Sequence, residues 1–236
     1  MVTGWRKLAH PRIANWAKAA FGPAELALKD APRRAGGTWA VGLDLLPNDS
    51  AGAIGGVELP MDILGLPQMP LHPAQLSVIY PDYPRQDADQ SDAAFRFMTH
   101  RDGAHLDGLL PERPDKRRFL REPHAYILGL PLTPTASAPL VVWEGSHLIM
   151  QAALANIEGD LTETYQAARA KVFETCKRVE IAADVGEAVI LHRALIHGVS
   201  PWKDGEAPRI IAYFRPVLPR VADWLLPCTL AFGPQD

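Results

Sequence analysis

The sequence predicts a mainly β fold with flanking helices, a sandwich or small barrel within one domain. Three observations lead there. The second half strings together short β-rich runs: AYILGLPL (125–132), PLVVW (139–143), RVEIA (178–182), EAVILH (187–192) and RIIAYFRP (209–216), interrupted by one helical block. The chain carries 22 prolines, which favours many short elements joined by rigid turns. Its 236 residues, 47% hydrophobic and 22% charged, suffice for one proper core, and no repeat, low-complexity tract or linker divides them.

In chain order, residues 12–30 place Ile13, Trp16, Ala20 and Leu26 at helical spacing, with a break expected at Gly22-Pro23. The run GGTWAVGLDLLPND (36–49) reads as a strand closed by a Pro-Asn-Asp turn, and LSVIY (76–80) and FRFMT (95–99) read as two short strands. AYILGLPL and PLVVW are apolar throughout, so both faces of these strands should be buried. No Asp, Glu, Lys or Arg occurs from His124 to Trp143, a length that invites a membrane span. Pro131, Pro134 and Pro139 argue against it, since a proline inside a helix costs about 3 kcal/mol. In the helical block, residues 148–175, the positions Leu154, Ile157, Leu161, Tyr165, Ala168 and Val172 recur at steps of three and four.

A formal net charge of −3 and a pI near 6.2 point neither to nucleic acid nor to an anionic membrane surface. The N-terminal stretch lacks the long apolar run of a signal peptide. Cys176 and Cys228 are far apart and match no zinc or redox spacing, so a reduced, cytoplasmic setting is expected.

The chemistry concentrates in HRDGAHLDG (100–108). On an extended backbone residues i and i+2 share a face, so His105 and Asp107 can grip one ion. GEAVILHRALIHGVSPW (186–202) offers a second imidazole, His192 or His197. A His-x-Asp pair with a distant histidine is the facial triad, which leaves coordination positions open and suits non-haem Fe(II) oxygen chemistry. Arg209, on the next strand-like run, is suited to hold a carboxylate with its planar fork. An oxygenase that uses a 2-oxo-diacid needs such a cation for the carboxylate far from the metal. Arg215 is the alternative cation.

HLDG (105–108), LVVWEGSH (140–147) and LHRALIHGVSPWKDGEAPRIIAYFRP (191–216) resemble, in the right order, the core of the phytanoyl-CoA dioxygenase-like Fe(II)/2-oxoglutarate oxygenases. The resemblance implies a double-stranded β-helix core (jelly-roll, cupin-like), iron on His105, Asp107 and His197, and Arg209 on the 5-carboxylate of 2-oxoglutarate. It spans residues 100–216, so the chain reads as a single oxygenase domain, residues 1–236. Within it, residues 1–99 act as helical and strand support, 100–216 as the metal-binding core and 217–236 as a C-terminal tail. The expected activity is a dioxygenase that hydroxylates a small molecule with O2, releasing succinate and CO2.

Further residues enter as expectations. His124 and Tyr126 share parity on the strand after the His-x-Asp pair and could face the cosubstrate, or serve as hydrogen-bonded pocket walls. The run from Arg113 to Arg121 reads as a solvated loop, or else as a lid whose Arg117 and Arg118 meet an anionic substrate. Two rival functions use the same His-Asp-His set: a non-catalytic metal- or ligand-binding sensor, and a zinc-dependent hydrolase. The hydrolase would have no use for Arg209.

Overall fold

The computed structural model describes residues 3–155, 159–226, 228, 230 and 232. From the N-terminus these form β1 (Trp5–Ala9), α1 (Pro11–Leu28), β2 (Trp39–Asp44), a short α2 (Met61–Leu64), β3 (Gln75–Ile79) and α3 (Asp92–His100). A hairpin of β4 (Leu109–Glu112) and β5 (Arg117–Leu120) leads into β6 (Tyr126–Pro131) and β7 (Leu140–Glu144). Helices α4 (Ser146–Leu154) and α5 (Thr162–Thr175) precede β8 (Lys177–Ile181), β9 (Glu187–His192), β10 (His197–Val199), β11 (Arg209–Phe214) and α6 (Val221–Leu225).

A six-stranded sheet runs β1-β9-β6-β11-β3-β2, and a three-stranded sheet runs β10-β7-β8, with antiparallel pairing throughout. This is a jelly-roll sandwich. Period-two alternation sorts its side chains into layers. Ile127, Val189, Leu191, Ile211 and Tyr213 face inward and meet Leu140, Val142 and Ile181 of the smaller sheet. Their neighbours Leu128, Ile190, Ala212 and Phe214 face outward onto Ile13, Trp16, Ala17 and Ala20 of α1. The smaller sheet turns Val141 and Trp143 outward onto α4 and α5. Burying one such aliphatic or aromatic side chain contributes about 1.5–3 kcal/mol, so strands buried on both faces hold the sandwich rigidly.

Three expectations need correction. Helix α1 runs unbroken through Gly22-Pro23, because Ile13, Trp16, Ala20, Ala24 and Leu28 keep one buried face across it; Leu26 points to solvent. FRFMT is helical: Ser91 caps α3 by accepting from Ala94 N at 3.3 Å, and the alternating Phe95 and Phe97 that looked strand-like lie on a partly exposed helix. The expected long loop at 113–121 is mostly the β4–β5 hairpin. Residues 1–99 supply β1, β2 and β3, three of the six strands, and are built into the main sheet. The helical block divides into α4 and α5, and Ile157 lies outside the described residues. Among those residues no helix is long and apolar enough to cross a membrane.

Candidate metal centre

Backbone pairing brings the two halves of the site together. His105 and His197 form an antiparallel bridge, His105 N donating to His197 O at 2.9 Å and His197 N donating to His105 O at 3.1 Å. Side chains directly opposite across a bridge share a face, and His197 also stands opposite the inward Val142. Both imidazoles therefore turn into the sandwich, and Asp107 follows by period two. Two glycines make the approach possible. A Cβ at Gly198 would lie 2.1 Å from Asp102 O, and one at Gly108 would lie 2.1 Å from Glu122 O. Asp102 is itself pinned by Arg178, at 2.7 and 2.8 Å, and accepts from Val199 N at 3.0 Å.

The three side chains converge. His105 Nε2 lies 3.2 Å from Asp107 Oδ1, and His197 Nε2 lies 3.6 Å from Asp107 Oδ2. Metal–nitrogen and metal–oxygen distances of roughly 2.0–2.2 Å put neighbouring ligand atoms about 3 Å apart, so this spacing fits one ion. The tautomers agree. His105 Nδ1 lies 3.0 Å from Gly103 O and His197 Nδ1 lies 2.9 Å from Leu195 O. Carbonyls only accept, so both Nδ1 atoms carry the proton and both neutral Nε2 atoms present lone pairs. Two lone pairs and a carboxylate aimed at one point call for a cation there. Burial would push the His105 pKa down, but the Asp107 carboxylate outweighs it and the net shift is upward. Burial would raise the Asp107 carboxyl; Arg215 and the two histidines instead hold it well below the usual range. The His105 side chain is 46% exposed, against 13% for Asp107 and 6% for His197, so the cluster opens to solvent on the His105 side.

Two arginines of β11 and its extension flank the cluster. Arg209, Ile211, Tyr213 and Arg215 share the inward parity. Arg209 is 0% exposed, and all three of its guanidinium nitrogens lack a hydrogen-bond partner among the described residues. It stands opposite Ile79, which packs with Tyr83, Trp39 and Val199. Val199 lies two residues beyond His197 on β10, so Arg209 marks one side of the cluster. Arg215 marks the other, its Nε donating to Asp107 Oδ2 at 2.7 Å.

Tyr83 and Trp39 escaped the sequence reading. Burial pushes the Tyr83 hydroxyl up to about 12, with Arg209 pulling it down and Asp102 pushing it up. Trp39 Nε1 is buried with no partner among the described residues. Neither residue carried a signal, since each reaches this side of the sandwich only through β2–β3 pairing and a proline-flanked turn.

Other expected site residues sit elsewhere. Tyr126 faces outward in the α1 core, opposite the parity of Arg209, because its strand neighbour Ile127 takes the inward face. It therefore lies on the opposite face of the sheet from Arg209. His124 supports Arg215 from behind, donating from Nδ1 to Arg215 O at 3.1 Å. Arg117 pairs with Asp115 and Asp160 at 3.8 and 3.6 Å. Arg118 donates to Leu109 O at 3.2 Å and lies over the Tyr165 ring. Both guanidiniums therefore lie along the hairpin and the start and face of α5, with Arg117 60% exposed. His192 ends β9, on the larger sheet and on its outward face with Ile190, whereas His197 lies on the smaller sheet.

No protein-family model and no curated protein matches the chain. Solved structures resemble it. The non-haem α-ketoglutarate-dependent carbocyclase SnoK from nogalamycin biosynthesis is 14% identical, with 99% of this chain and 90% of that chain covered at a TM-score of 0.51. HygX from Streptomyces hygroscopicus, with nickel and 2-oxoglutarate bound, is 14% identical over 91% of this chain and 84% of that one, at 0.46. EctD from S. alaskensis, with bound Fe, is 16% identical over 90% and 72%, at 0.45. The fold assignment rests on SnoK: this chain has the jelly-roll core of that enzyme.

Proposed function

We propose that this protein is an Fe(II)- and 2-oxoglutarate-dependent oxygenase that hydroxylates a small-molecule substrate. His105, Asp107 and His197 would hold the metal, and Arg209 would hold the far carboxylate of 2-oxoglutarate. The observation that carries the reading is Arg209, a fully buried guanidinium with no partner among the described residues, linked through Ile79 and Val199 to the strand that carries His197 of the His-Asp-His cluster. Burying an unpaired charge costs several kcal/mol, so a carboxylate arriving with a ligand is the economical explanation. A dicarboxylic acid that chelates metal at one end fits that place. A hydrolase would leave Arg209 without a purpose.

When bound, the metal and cosubstrate supply the oxidation: one oxygen atom of O2 goes to the substrate C–H bond and the other to succinate, with loss of CO2. The chain's own work is positional. The Gly103 and Leu195 carbonyls fix both histidine tautomers, and Asp107 supplies the single anionic ligand. Asp107 also occupies the position that is Gly or Ala in iron halogenases of this superfamily, which argues for hydroxylation over chlorination.

The test begins without oxygen. Adding Fe(II) and then 2-oxoglutarate to the protein should produce the weak visible charge-transfer band of a chelated 2-oxo acid. Admitting O2 with a panel of small molecules should then release succinate, with Asp107→Ala as the blank. Metal binding with no band and no succinate would leave the sensor or the hydrolase in its place.

A further inference from the structure

We propose that Arg215 is a positioning residue that makes Asp107 a one-oxygen ligand, and so keeps a coordination position open for the cosubstrate. This rests on the metal-centre reading above. Arg215 Nε takes Asp107 Oδ2 at 2.7 Å, while Oδ1 faces His105 Nε2 at 3.2 Å. Oδ2 is thus engaged by Arg215, with His197 Nε2 farther off at 3.6 Å, while Oδ1 is turned to His105 and takes no hydrogen bond from Arg215.

The hold on Arg215 is unusually complete. Its Nη1 donates to Gln75 Oε1 at 2.6 Å, its backbone N donates to His72 Nε2 at 3.0 Å, and its carbonyl accepts from His124 Nδ1 at 3.1 Å. The guanidinium lies 4.6 Å from the Tyr213 ring centroid, and the side chain is only 15% exposed. A group fixed at backbone, nitrogen fork and flat face can impose an orientation on its partner. A carboxylate bound by one oxygen uses one coordination position; bound by both it uses two. With two histidines, that difference decides whether a bidentate 2-oxo acid and O2 both find room. Arg215 therefore trades metal affinity for open positions, because its charge also opposes the incoming cation.

The experiment compares wild type with Arg215→Met, Arg215→Lys and Gln75→Leu. Mn(II) affinity is measured by calorimetry, and 2-oxoglutarate affinity by the anaerobic Fe(II) charge-transfer band. Arg215→Met should bind Mn(II) about 5- to 10-fold more tightly, with the 2-oxoglutarate Kd raised at least about 10-fold, as outer partners of ligands typically shift affinities by that order. Arg215→Lys keeps the charge but cannot reach Asp107 and Gln75 with the same fork, so it should shift both constants in the same directions. Gln75→Leu, which leaves Arg215 in place and loosens it, should show a smaller version and covers the case in which the Arg215 variants do not fold. Lysine behaving as wild type would assign the effect to charge alone and overturn the proposal. So would unchanged or weaker Mn(II) binding in Arg215→Met, or, if only Gln75→Leu folds, constants equal to wild type. Wild-type protein that binds no metal would instead refute the metal centre itself.

Discussion

The rings of His105 and His197 lie 4.6 Å apart at 51°, and those of His147 and His192 lie 4.7 Å apart at 44°. By ring geometry the two pairs are nearly the same. Their hydrogen bonds make them opposites. In the first pair both Nδ1 atoms donate to carbonyls, so both Nε2 lone pairs are free, and Asp107 completes the set. In the second, His192 Nδ1 accepts from Ala194 N at 3.0 Å, so its proton sits on Nε2 and that atom offers no lone pair. Among the described residues no carboxylate joins His147 and His192 to form a metal-binding group. Proximity of imidazoles is thus a poor guide to a metal site; the tautomer set by the other ring nitrogen and the nearby charge decide it.

The largest expected effect tests the part that only the first pair has. Asp107→Ala removes the single anionic ligand and should weaken Mn(II) or Fe(II) binding by more than about 100-fold, beyond the ~10–100-fold typical of outer partners, with no succinate released. Near-normal metal affinity in this variant would put the ion elsewhere. His197→Ala and His192→Ala carry the contrast next. The first should lose metal binding and, because His197 is itself 5% exposed, should also cost some stability. The second should keep metal binding and cost about 2–3 kcal/mol of stability, since it empties a site that is 3% exposed. Exchanged phenotypes would mean that the pairs have been assigned the wrong way round.

How much of this could be read in the chain follows from range. His-x-Asp is a local pattern, and period-two geometry was enough to pair its members. Arg209 stood out because it opens the strand-like run that follows His197, where a planar guanidinium is placed to hold a carboxylate. Parity also misled: Tyr126 has the parity of His124, but His124 lies outside β6 and its backbone bridges to Val217, so the two do not share a face of one strand. Phe95 and Phe97 alternate as in a strand, yet Ser91 and Asp92 start a helix ahead of them. Arg215 could have been placed by continuing the parity of β11 by one step, whereas Gln75, Tyr83 and Trp39 reach the interior through pairings that no local pattern encodes.

A smaller effect is expected on the cosubstrate side, where the comparison becomes one between arginines. Arg215 has its carboxylate within the protein, and Arg209 has none among the described residues. Truncating one partner of a buried charge pair typically costs 2–5 kcal/mol, so Arg209→Ala should raise the 2-oxoglutarate KM at least about 30-fold. Metal affinity should stay put. Shorter 2-oxo acids, which lack the second carboxylate, should lose far less. An unchanged KM would move the far carboxylate to another cation.

The smallest effect separates the two histidine pairs by pH, and it is measured on metal-free protein. Burial, with His147 and Arg193 adding to it, takes His192 down to about 3, and burial also lowers His147 and His124. A buried neutral imidazole binds no proton while its unfolded counterpart does, so stability is full above the unfolded value near 6.5 and is lost as pH falls toward the folded value. His105 has the opposite sign: its folded pKa is raised, so its contribution is full below about 6.5 and disappears as pH rises through the folded value. Between pH 7 and 5 three histidines destabilise on acidification and one stabilises. His192 alone should account for up to about 2 kcal/mol of the loss, since each tenfold change in proton affinity is worth about 1.36 kcal/mol. His192→Asn keeps an oxygen near the Nδ1 position to accept from Ala194 N and cannot take up the proton. Its urea-unfolding free energy should therefore fall less between pH 7 and 5 than that of wild type, while His105→Asn should fall more steeply. If both variants kept the wild-type slope, neither pair would titrate on unfolding, and the difference in their hydrogen bonds would have no thermodynamic consequence.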